Sequence, residues 1–478
     1  MNLASIAEGH AGDAVAVVSR GVATTYGELT DEVAHVRGGL QGLGLQPGDR
    51  VAILCANNRL FVVSYLAVLG AGLVAVPMNP TSPASEIDHQ LTMVGARAAI
   101  VGPSAASTFK TALDVVLGAE EVARLAKAEA VPIVEREPED PAVLIFTAGT
   151  AGAPKAATLT HGNLHTNLRQ AQAVPDRALQ SDDVSLGVLP FFHIFGLNVV
   201  LGLSLYAGGS VVLVERFDPT TAIDTVRNHG VTVIAGAPPM WVAWASMPGV
   251  DADTFRSVRL ALSGAAPLPI EVANAMRDRF GVTVEEGYGL TEASPIVTTF
   301  GRGGSIGRPL PGVAVRLVGN DGEDVPLGDP GEIWVQGPNV FAGYWNDAEA
   351  TATVITADGW LRTGDIAVAA DDGSLCIVDR AKDLIIVSGF NVFPAEVEDA
   401  LRAHPGVAEA AVVGVPHPHT GEAVKAYVVP RSGQAVEEDE LIDFCATRLA
   451  RYKCPEKILF VETLPLNPGG KLLRRELR

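Results

Sequence analysis

Four short segments of this 478-residue chain hold side chains suited to phosphate, ribose and carboxylate chemistry. The first is Phe146-Thr147-Ala148-Gly149-Thr150-Ala151-Gly152-Ala153-Pro154-Lys155, directly after an apolar strand-like run. Glycines free backbone N–H groups to wrap phosphate oxygens, while threonine hydroxyls and a lysine add donors and charge. A Walker A loop needs Gly-Lys-Ser/Thr and is excluded, because Lys155 lies between Pro154 and Ala156. By itself the segment also reads as a flexible strand-to-helix loop.

The second segment is Glu286-Gly287-Tyr288-Gly289-Leu290-Thr291-Glu292, preceded by Ser263-Gly264-Ala265-Ala266-Pro267-Leu268. A tyrosine can stack on a purine, a threonine can donate to a phosphate, and a glutamate can hold Mg²⁺ through oxygen. The third is Trp360-Leu361-Arg362-Thr363-Gly364-Asp365, followed by Asp379-Arg380-Ala381-Lys382-Asp383. There a carboxylate can accept from both ribose hydroxyls and an arginine can pair with phosphate. The fourth is Gly469-Gly470-Lys471, near the chain end. Each alone has a plain alternative: a glycine-punctuated turn, a solvated ion pair, a soluble tail lysine.

In this order the four elements resemble the adenylate-forming superfamily, which includes acyl-CoA synthetases, nonribosomal peptide synthetase adenylation domains and firefly-type luciferases. The resemblance runs from Thr25-Tyr26-Gly27-Glu28-Leu29 to Lys471. Leu189-Pro190-Phe191-Phe192-His193-Ile194-Phe195-Gly196 and Gly264-Ala265-Ala266-Pro267-Leu268 look most like the fatty acyl-CoA and 4-coumarate–CoA ligase branch. The resemblance implies that Thr147, Gly149, Thr150, Gly152 and Lys155 grip the β- and γ-phosphates of ATP. Gly264, Ala265, Ala266, Pro267, Glu286, Gly287 and Gly289 would shape the nucleotide pocket around Tyr288, which would lie on adenine. Thr291 would meet the α-phosphate and Glu292 would bind Mg²⁺. Asp365 would hold the ribose, with Arg380 beside it. Lys382 falls at the family's hinge, and Ser388, Gly389 and Phe390 would line the thiol channel of coenzyme A. Lys471 would act on the α-phosphate and acyl carboxylate, and His193 would stand where acyl pocket meets thiol channel. A lone histidine in an apolar run is otherwise a satisfied core residue.

The chain departs from the family pattern in the phosphate loop, which usually reads Thr-Ser-Gly-Thr-Thr-Gly-x-Pro-Lys-Gly. Ala148, Ala151 and Ala156 replace a serine, a threonine and a glycine. Each lost hydroxyl would cost about 1 to 3 kcal/mol of charge-assisted hydrogen bonding if it met pyrophosphate. Altered ATP affinity or rate is expected, not inactivity.

These groups suit one reaction. A carboxylate is a poor acyl donor to a thiol, and transfer to AMP gives it a good leaving group. The step sets one anion against another, so Lys471, Lys155 and Mg²⁺ on Glu292 are the cations that would offset repulsion. A small domain pivoting near Lys382 would present Lys471 for adenylation and the Gly389 loop for thiolysis. The expectation is an ATP-dependent acyl-CoA synthetase acting on a fatty acid. The alternatives are an aryl-CoA ligase of the 4-coumarate type, a stand-alone enzyme loading a carrier protein, and a non-catalytic acyl or nucleotide binder.

The elements that must position these residues read as α/β. Val51–Cys55, Val74–Pro77, Ala98–Val101, Ala142–Phe146, Val211–Val214 and Val231–Ile234 are short apolar strands alternating with helix-length stretches such as Arg59–Leu69, as a parallel or mixed sheet requires. Between Gly307 and Gln336 glycines and prolines multiply, suggesting a small antiparallel or barrel section with Gly319-Asn320-Asp321-Gly322 as a hairpin turn. Beyond Asp379–Asp383 comes a compact unit: strand Leu384–Val387, helix Pro394–Ala403, strands Ala410–Val415 and Val424–Val429, helix Asp439–Arg448. The expected architecture is a large domain of helix-flanked sheets, 1–380, and a small mobile α/β lid, 381–478.

A net charge of −20 disfavours nucleic acid or an anionic membrane as partner and demands a locally basic site for anionic substrates. The four scattered cysteines and an N-terminus without a basic, then apolar, leader point to a cytoplasmic protein with reduced thiols. The stretch between Asp183 and Glu215 has no charged residue, but Pro190, His193 and Gly208-Gly209 argue for strand, helix and strand over a membrane span. A homodimer is left open.

Overall fold

The computed structural model describes all residues except 149–153, 381–382, 388–389, 435, 467–471 and 478, and for Ala148, Arg380, Asn391 and Arg475 the backbone alone. Two compact units emerge: Met1–Ala314 with Val335–Leu361, and Val315–Trp334 with Arg362–Arg478.

The first unit holds two sheets. In one, the order is Val115–Leu117, Ala98–Val101, Arg50–Leu54, Val74–Pro77, Pro141–Ala148 and Pro154–Thr160. All neighbours are parallel except the last pair. In the other, Val284–Glu286, Leu260–Ser263, Val233–Gly236, Val184–Gly187, Ser210–Leu213 and Val15–Ser19 run parallel, and Val22–Thr25 closes the edge antiparallel. Strands such as Ala98–Val101 and Val233–Gly236 are buried along their whole length, which explains why they read as continuous apolar runs and not as alternations. The expected strands and the helix Arg59–Gly70 are present. Their division into two sheets depends on which strands pair, and the apolar runs do not encode that.

Helix starts are set locally. Thr25 accepts from the Glu28 N–H while the Glu28 carboxylate takes the Thr25 N–H, fixing the start of helix Tyr26–Gly42. Thr160 and Asn163 do the same for helix His161–Gln172. The uncharged stretch after Asp183 forms strand Val184–Gly187, then a π-helix Phe195–Gly202 continuing as α-helix Leu203–Ala207, then strand Ser210–Leu213. Among the described residues no helix is long and apolar enough to cross a membrane.

In the second unit, Leu361–Ala369 and Leu375–Arg380 form the expected antiparallel hairpin, with its turn at Gly373. The Gly319–Gly322 turn also forms, closed by the Gly319 N–H on Glu323 O. Beyond it lies a five-stranded sheet: Phe390–Val392, Ile385–Val387, Gly421–Pro430 and Val407–His417 in order, with Lys457–Phe460 also on Gly421–Pro430. Helices Pro394–Arg402 and Glu438–Ala446 pack their Val397, Leu401, Leu441 and Cys445 into its core. The strands Phe390–Val392 and Lys457–Phe460 were not expected from the sequence.

No disulfide forms among the cysteines, and Cys55, Cys445 and Cys454 are buried. Burial pushes the Cys55 thiol up to about 12 and the Cys445 thiol up to about 11.

The N-terminal turn Leu3–Ala7 is tied down by one imidazole. The Leu3 N–H donates to Nδ1 of fully buried His161 at 3.0 Å, so the ring must be neutral. Burial, then the charge of Arg136, lowers its pKa from 6.5 to about 4. Protonation is easier in the unfolded chain, so this contribution is complete above pH 6.5 and is lost as pH falls from 6.5 towards about 4. His161→Gln, which keeps an acceptor without a titrating group, is expected to flatten the pH dependence of urea unfolding across that window. An unchanged slope would refute the assignment.

Candidate active site

The described ends of the phosphate segment belong to paired antiparallel strands, where its plain alternative had a loop between strand and helix. Thr147 and Lys155 face each other across the paired strands Pro141–Ala148 and Pro154–Thr160, both half-buried. Gly149, Thr150 and Gly152 lie outside the described residues. Ala156, one of the three unusual alanines, is buried and packs with Phe146 and Trp345, so its methyl belongs to the core.

The second segment is assembled at the carboxyl edge of the parallel strands Val233–Gly236, Leu260–Ser263 and Val284–Glu286, where α/β sheets place their ligands. Glu286 stitches its two loops together. Its carboxylate accepts the Leu268 N–H at 2.9 Å, and the Gly287 N–H donates to Ser263 O at 3.1 Å. Burial raises the Glu286 pKa. Between them Ala265 is held at φ 71°, a conformation costly for a residue with a Cβ and frequent at functional sites. Gly264 is needed for close approach: a Cβ there would lie 3.0 Å from the Phe195 ring. Ala266 is half-buried and Pro267 exposed.

Tyr288, half-buried, accepts two backbone N–H groups, from Val297 at 3.0 Å and Thr298 at 3.3 Å, and its own N–H donates to Thr298 Oγ1. Gly289 allows the chain to double back, since a Cβ would stand 2.2 Å from Pro295 O. Thr291 and Glu292 follow on a single 3₁₀ turn. Three buried asparagines pin the backbone behind them. Asn339 donates to Ala293 O at 2.9 Å, Asn198 to Ser294 O at 2.7 Å, and Asn167 both donates to Ile296 O and accepts its N–H. Sequence reasoning passed over all three, because a single asparagine in an apolar window carries no pattern.

Glu292 Oε1 accepts the phenol O–H of Tyr344 at 2.8 Å, and Lys155 Nζ lies 4.9 Å from the centre of the same ring. Tyr344 was missed too. It lies beside strand Pro154–Thr160 through a bridge to Ala157. His193 follows the turn closed by its own N–H on Pro190 O, 5.1 Å from the Phe192 ring. Its side chain reaches solvent while much protein surrounds it, and that partial desolvation lowers its pKa.

The other candidates lie in the second unit. Asp365, 6% exposed, pairs in register with Arg380 across the Leu361–Ala369 hairpin. Its N–H donates to Thr363 Oγ1 at 3.1 Å, and the Gly364 N–H donates to Glu332 Oε1 at 3.0 Å. Phe390 is exposed, 4.9 Å from the Tyr452 ring. Lys382, Ser388, Gly389 and Lys471 lie outside the described residues. Their neighbours are firmly held: Arg474 donates to Glu398 Oε1 at 2.7 Å and to Val412 O at 3.2 Å, and sits 3.6 Å from Asp383.

Glu292 fits a magnesium ion. Among the described residues its second oxygen has no protein donor, and no group of three or more acidic, histidine or cysteine side chains forms an all-protein cage. One carboxylate with phosphates and water is the usual shell for Mg²⁺.

A profile for the AMP-binding enzyme matches residues 3–345, and one for the AMP-binding enzyme C-terminal domain matches 396–471. The chain is 40% identical to a feruloyl-CoA synthase of Amycolatopsis sp over 477 residues, covering 97% of this chain and 95% of that one. It is 37% identical to a long-chain-fatty-acid–CoA ligase of Yersinia pestis, covering 98% and 91%. The fold matches the ATP-bound crystal structure of MatB from Rhodopseudomonas palustris with a TM-score of 0.91 at 34% identity, covering 100% and 98%. The chain therefore belongs to the AMP-binding enzyme family, the adenylate-forming enzymes. Within that family it stands among the acyl-CoA synthetases, acid–thiol ligases that use ATP, Mg²⁺ and coenzyme A.

Gly289→Ala must displace the Pro295 carbonyl and with it the Tyr288–Glu292 turn. The expected result is a rise of about tenfold or more in KM for ATP, with a lowered melting temperature but a protein still folded at the assay temperature. A normal KM would show that the turn does not bear on nucleotide binding.

Proposed function

We propose that this chain converts a hydrophobic carboxylic acid to its coenzyme A thioester through an acyl-adenylate. The observation that carries the reading is that Lys155 and Glu292, 137 positions apart in sequence, both meet Tyr344 and so share one neighbourhood. A lysine suited to phosphate and a carboxylate suited to a phosphate-bound cation are what adenylation asks of a site.

In the first half-reaction a carboxylate oxygen of the acid attacks the α-phosphorus of ATP, and pyrophosphate leaves. In this reading Thr147, Gly149, Thr150, Gly152 and Lys155 hold the departing phosphates, and Tyr288 lies on adenine in the pocket built by residues 264–267 and 286–289. Thr291 orients the α-phosphate, Asp365 and Arg380 hold the ribose, and Lys471 offsets charge between acid and α-phosphate. Magnesium, bound through Glu292, supplies charge neutralisation at the phosphates. In the second half-reaction the thiol sulfur attacks the acyl carbonyl carbon and AMP leaves. Here Ser388, Gly389 and Phe390 line the thiol's path, and His193 stands at its junction with the acyl pocket. Residues 381–478 act as the lid, pivoting at Lys382; the separate matches to 3–345 and 396–471 support a boundary between them. Unpaired cysteines suit a cytoplasmic location.

A fatty acid and a hydroxycinnamate are both compatible with the apolar Phe191–Trp244 region. The aryl reading is favoured by the 40% identity to a feruloyl-CoA synthase and by the Phe195 ring lying against Gly264, a flat wall suited to a planar acid. Pyrophosphate release and thioester formation, measured over fatty acids and hydroxycinnamates with and without coenzyme A, decide between them. Absence of turnover with every acid would overturn the enzymatic reading. Lys471→Ala is expected to abolish acyl-adenylate formation yet leave thiolysis of supplied acyl-AMP nearly intact; equal loss in both half-reactions would sink the two-state role.

A further inference from the structure

Tyr344 touches the two groups that the proposed reading assigns to phosphate and metal, although no motif pointed to it. The segment around it is fixed from several sides. The Thr158 N–H donates to Gly343 O at 2.9 Å and the Ala342 N–H to Thr158 O at 3.1 Å, so the chain runs as an added edge beside the phosphate hairpin. The Tyr344 N–H donates to Thr351 Oγ1 at 2.9 Å, and the Phe341 ring meets the phenol edge-on at 5.0 Å. Phe341 is itself bound to the metal-bearing turn, its N–H donating to Glu292 O at 2.9 Å. The phenol is thus held by the same backbone that carries the groups on either side of it.

Two contacts with charged groups leave this ring, and they differ in kind. The O–H donates to Glu292 Oε1, leaving Oε2 open among the described residues. The face of the ring receives the Lys155 ammonium, an attraction that needs no proton and no hydroxyl. Without the ring, a lysine and a glutamate held against opposite parts of one side chain would be free to approach and pair, and each would then be withheld from its anion or cation. Among the described residues, half-buried Lys155 and Glu292 make their side-chain contacts with Tyr344 and not with each other.

Resting on the site reading above, we propose that Tyr344 is a positioning residue that keeps Lys155 and Glu292 apart and separately aimed. Its hydroxyl turns Glu292 into a one-oxygen metal ligand, and its ring face holds the lysine ready for phosphate. The two contacts can be removed one at a time. Tyr344→Phe keeps the ring and loses the hydroxyl; Tyr344→Leu loses both.

The test is calorimetric binding of ATP in the absence of acid, so that no reaction runs, with and without Mg²⁺. In wild type, Mg²⁺ should tighten ATP. In Tyr344→Phe that tightening should fall by about five- to tenfold, the worth of one hydrogen bond to a charged group, with metal-free ATP binding unchanged. In Tyr344→Leu metal-free ATP binding should weaken as well. A merely structural role would instead lower both affinities in Tyr344→Phe together with the melting temperature, and that result would overturn the proposal. So would a wild-type response to Mg²⁺ in Tyr344→Phe while Glu292→Gln loses it; this places the failure on Tyr344 alone. If Glu292→Gln also keeps the full response, the metal assignment itself falls and the inference with it.

Discussion

A chain with a net charge of −20 has to bring a carboxylate against a triphosphate. Everything at the site answers that repulsion. The molecule cannot supply a broad positive field, so it supplies a few cationic points that its own carboxylates do not neutralise, within the short range that solvent screening leaves. The arginines of the first unit illustrate the alternative. Arg177 and Arg302 both pair with buried Glu285, and Arg259 pairs with Asp183, so their charge is consumed in holding the fold. Lys155 rests on an aromatic face and is left available.

Aiming so few groups requires a rigid frame, and most of it is backbone hydrogen bonding. The turn bearing Thr291 and Glu292 is a single 3₁₀ turn, too short to satisfy its own backbone, so its carbonyls and N–H groups need partners from elsewhere. Asn167, Asn198 and Asn339 supply them from separate elements. Asn198 sits on the π-helix Phe195–Gly202, whose widened turn also carries Phe195 to the face of Gly264. A π-helix is an uncommon element and tends to occur where side chains are re-aimed at a function. Here one such segment serves both the Thr291–Glu292 turn and the wall of the neighbouring loop.

The phosphate and Tyr288–Glu292 segments were legible because glycines and donors at fixed spacing advertise close approach to a ligand. The context of the first was not: Lys155 belongs to a strand, and the hairpin that sets it opposite Thr147 depends on pairing that no local pattern records. Ala156 showed the limits of counting departures from a motif, since its methyl is buried in the core cluster against which Phe146 and Trp345 pack. The fully buried strands declared themselves as apolar runs, whereas Phe390–Val392 and Lys457–Phe460 did not, because their exposed Phe390, Leu459 and Phe460 blur the contrast between faces. Tyr344 and the asparagines were invisible for a common reason. A residue whose worth lies in two long-range contacts leaves no trace in its neighbours.

The state of the cysteines acquires a meaning from the chemistry. An acyl-adenylate and the thioester made from it are both acyl donors, and any thiolate they encounter is an acceptor. Cys55 and Cys445 are buried and stay protonated far above neutral pH, so neither can compete with the incoming thiol. The same burial that fills the two cores thereby keeps these two thiols from being acylated by the enzyme's own intermediate.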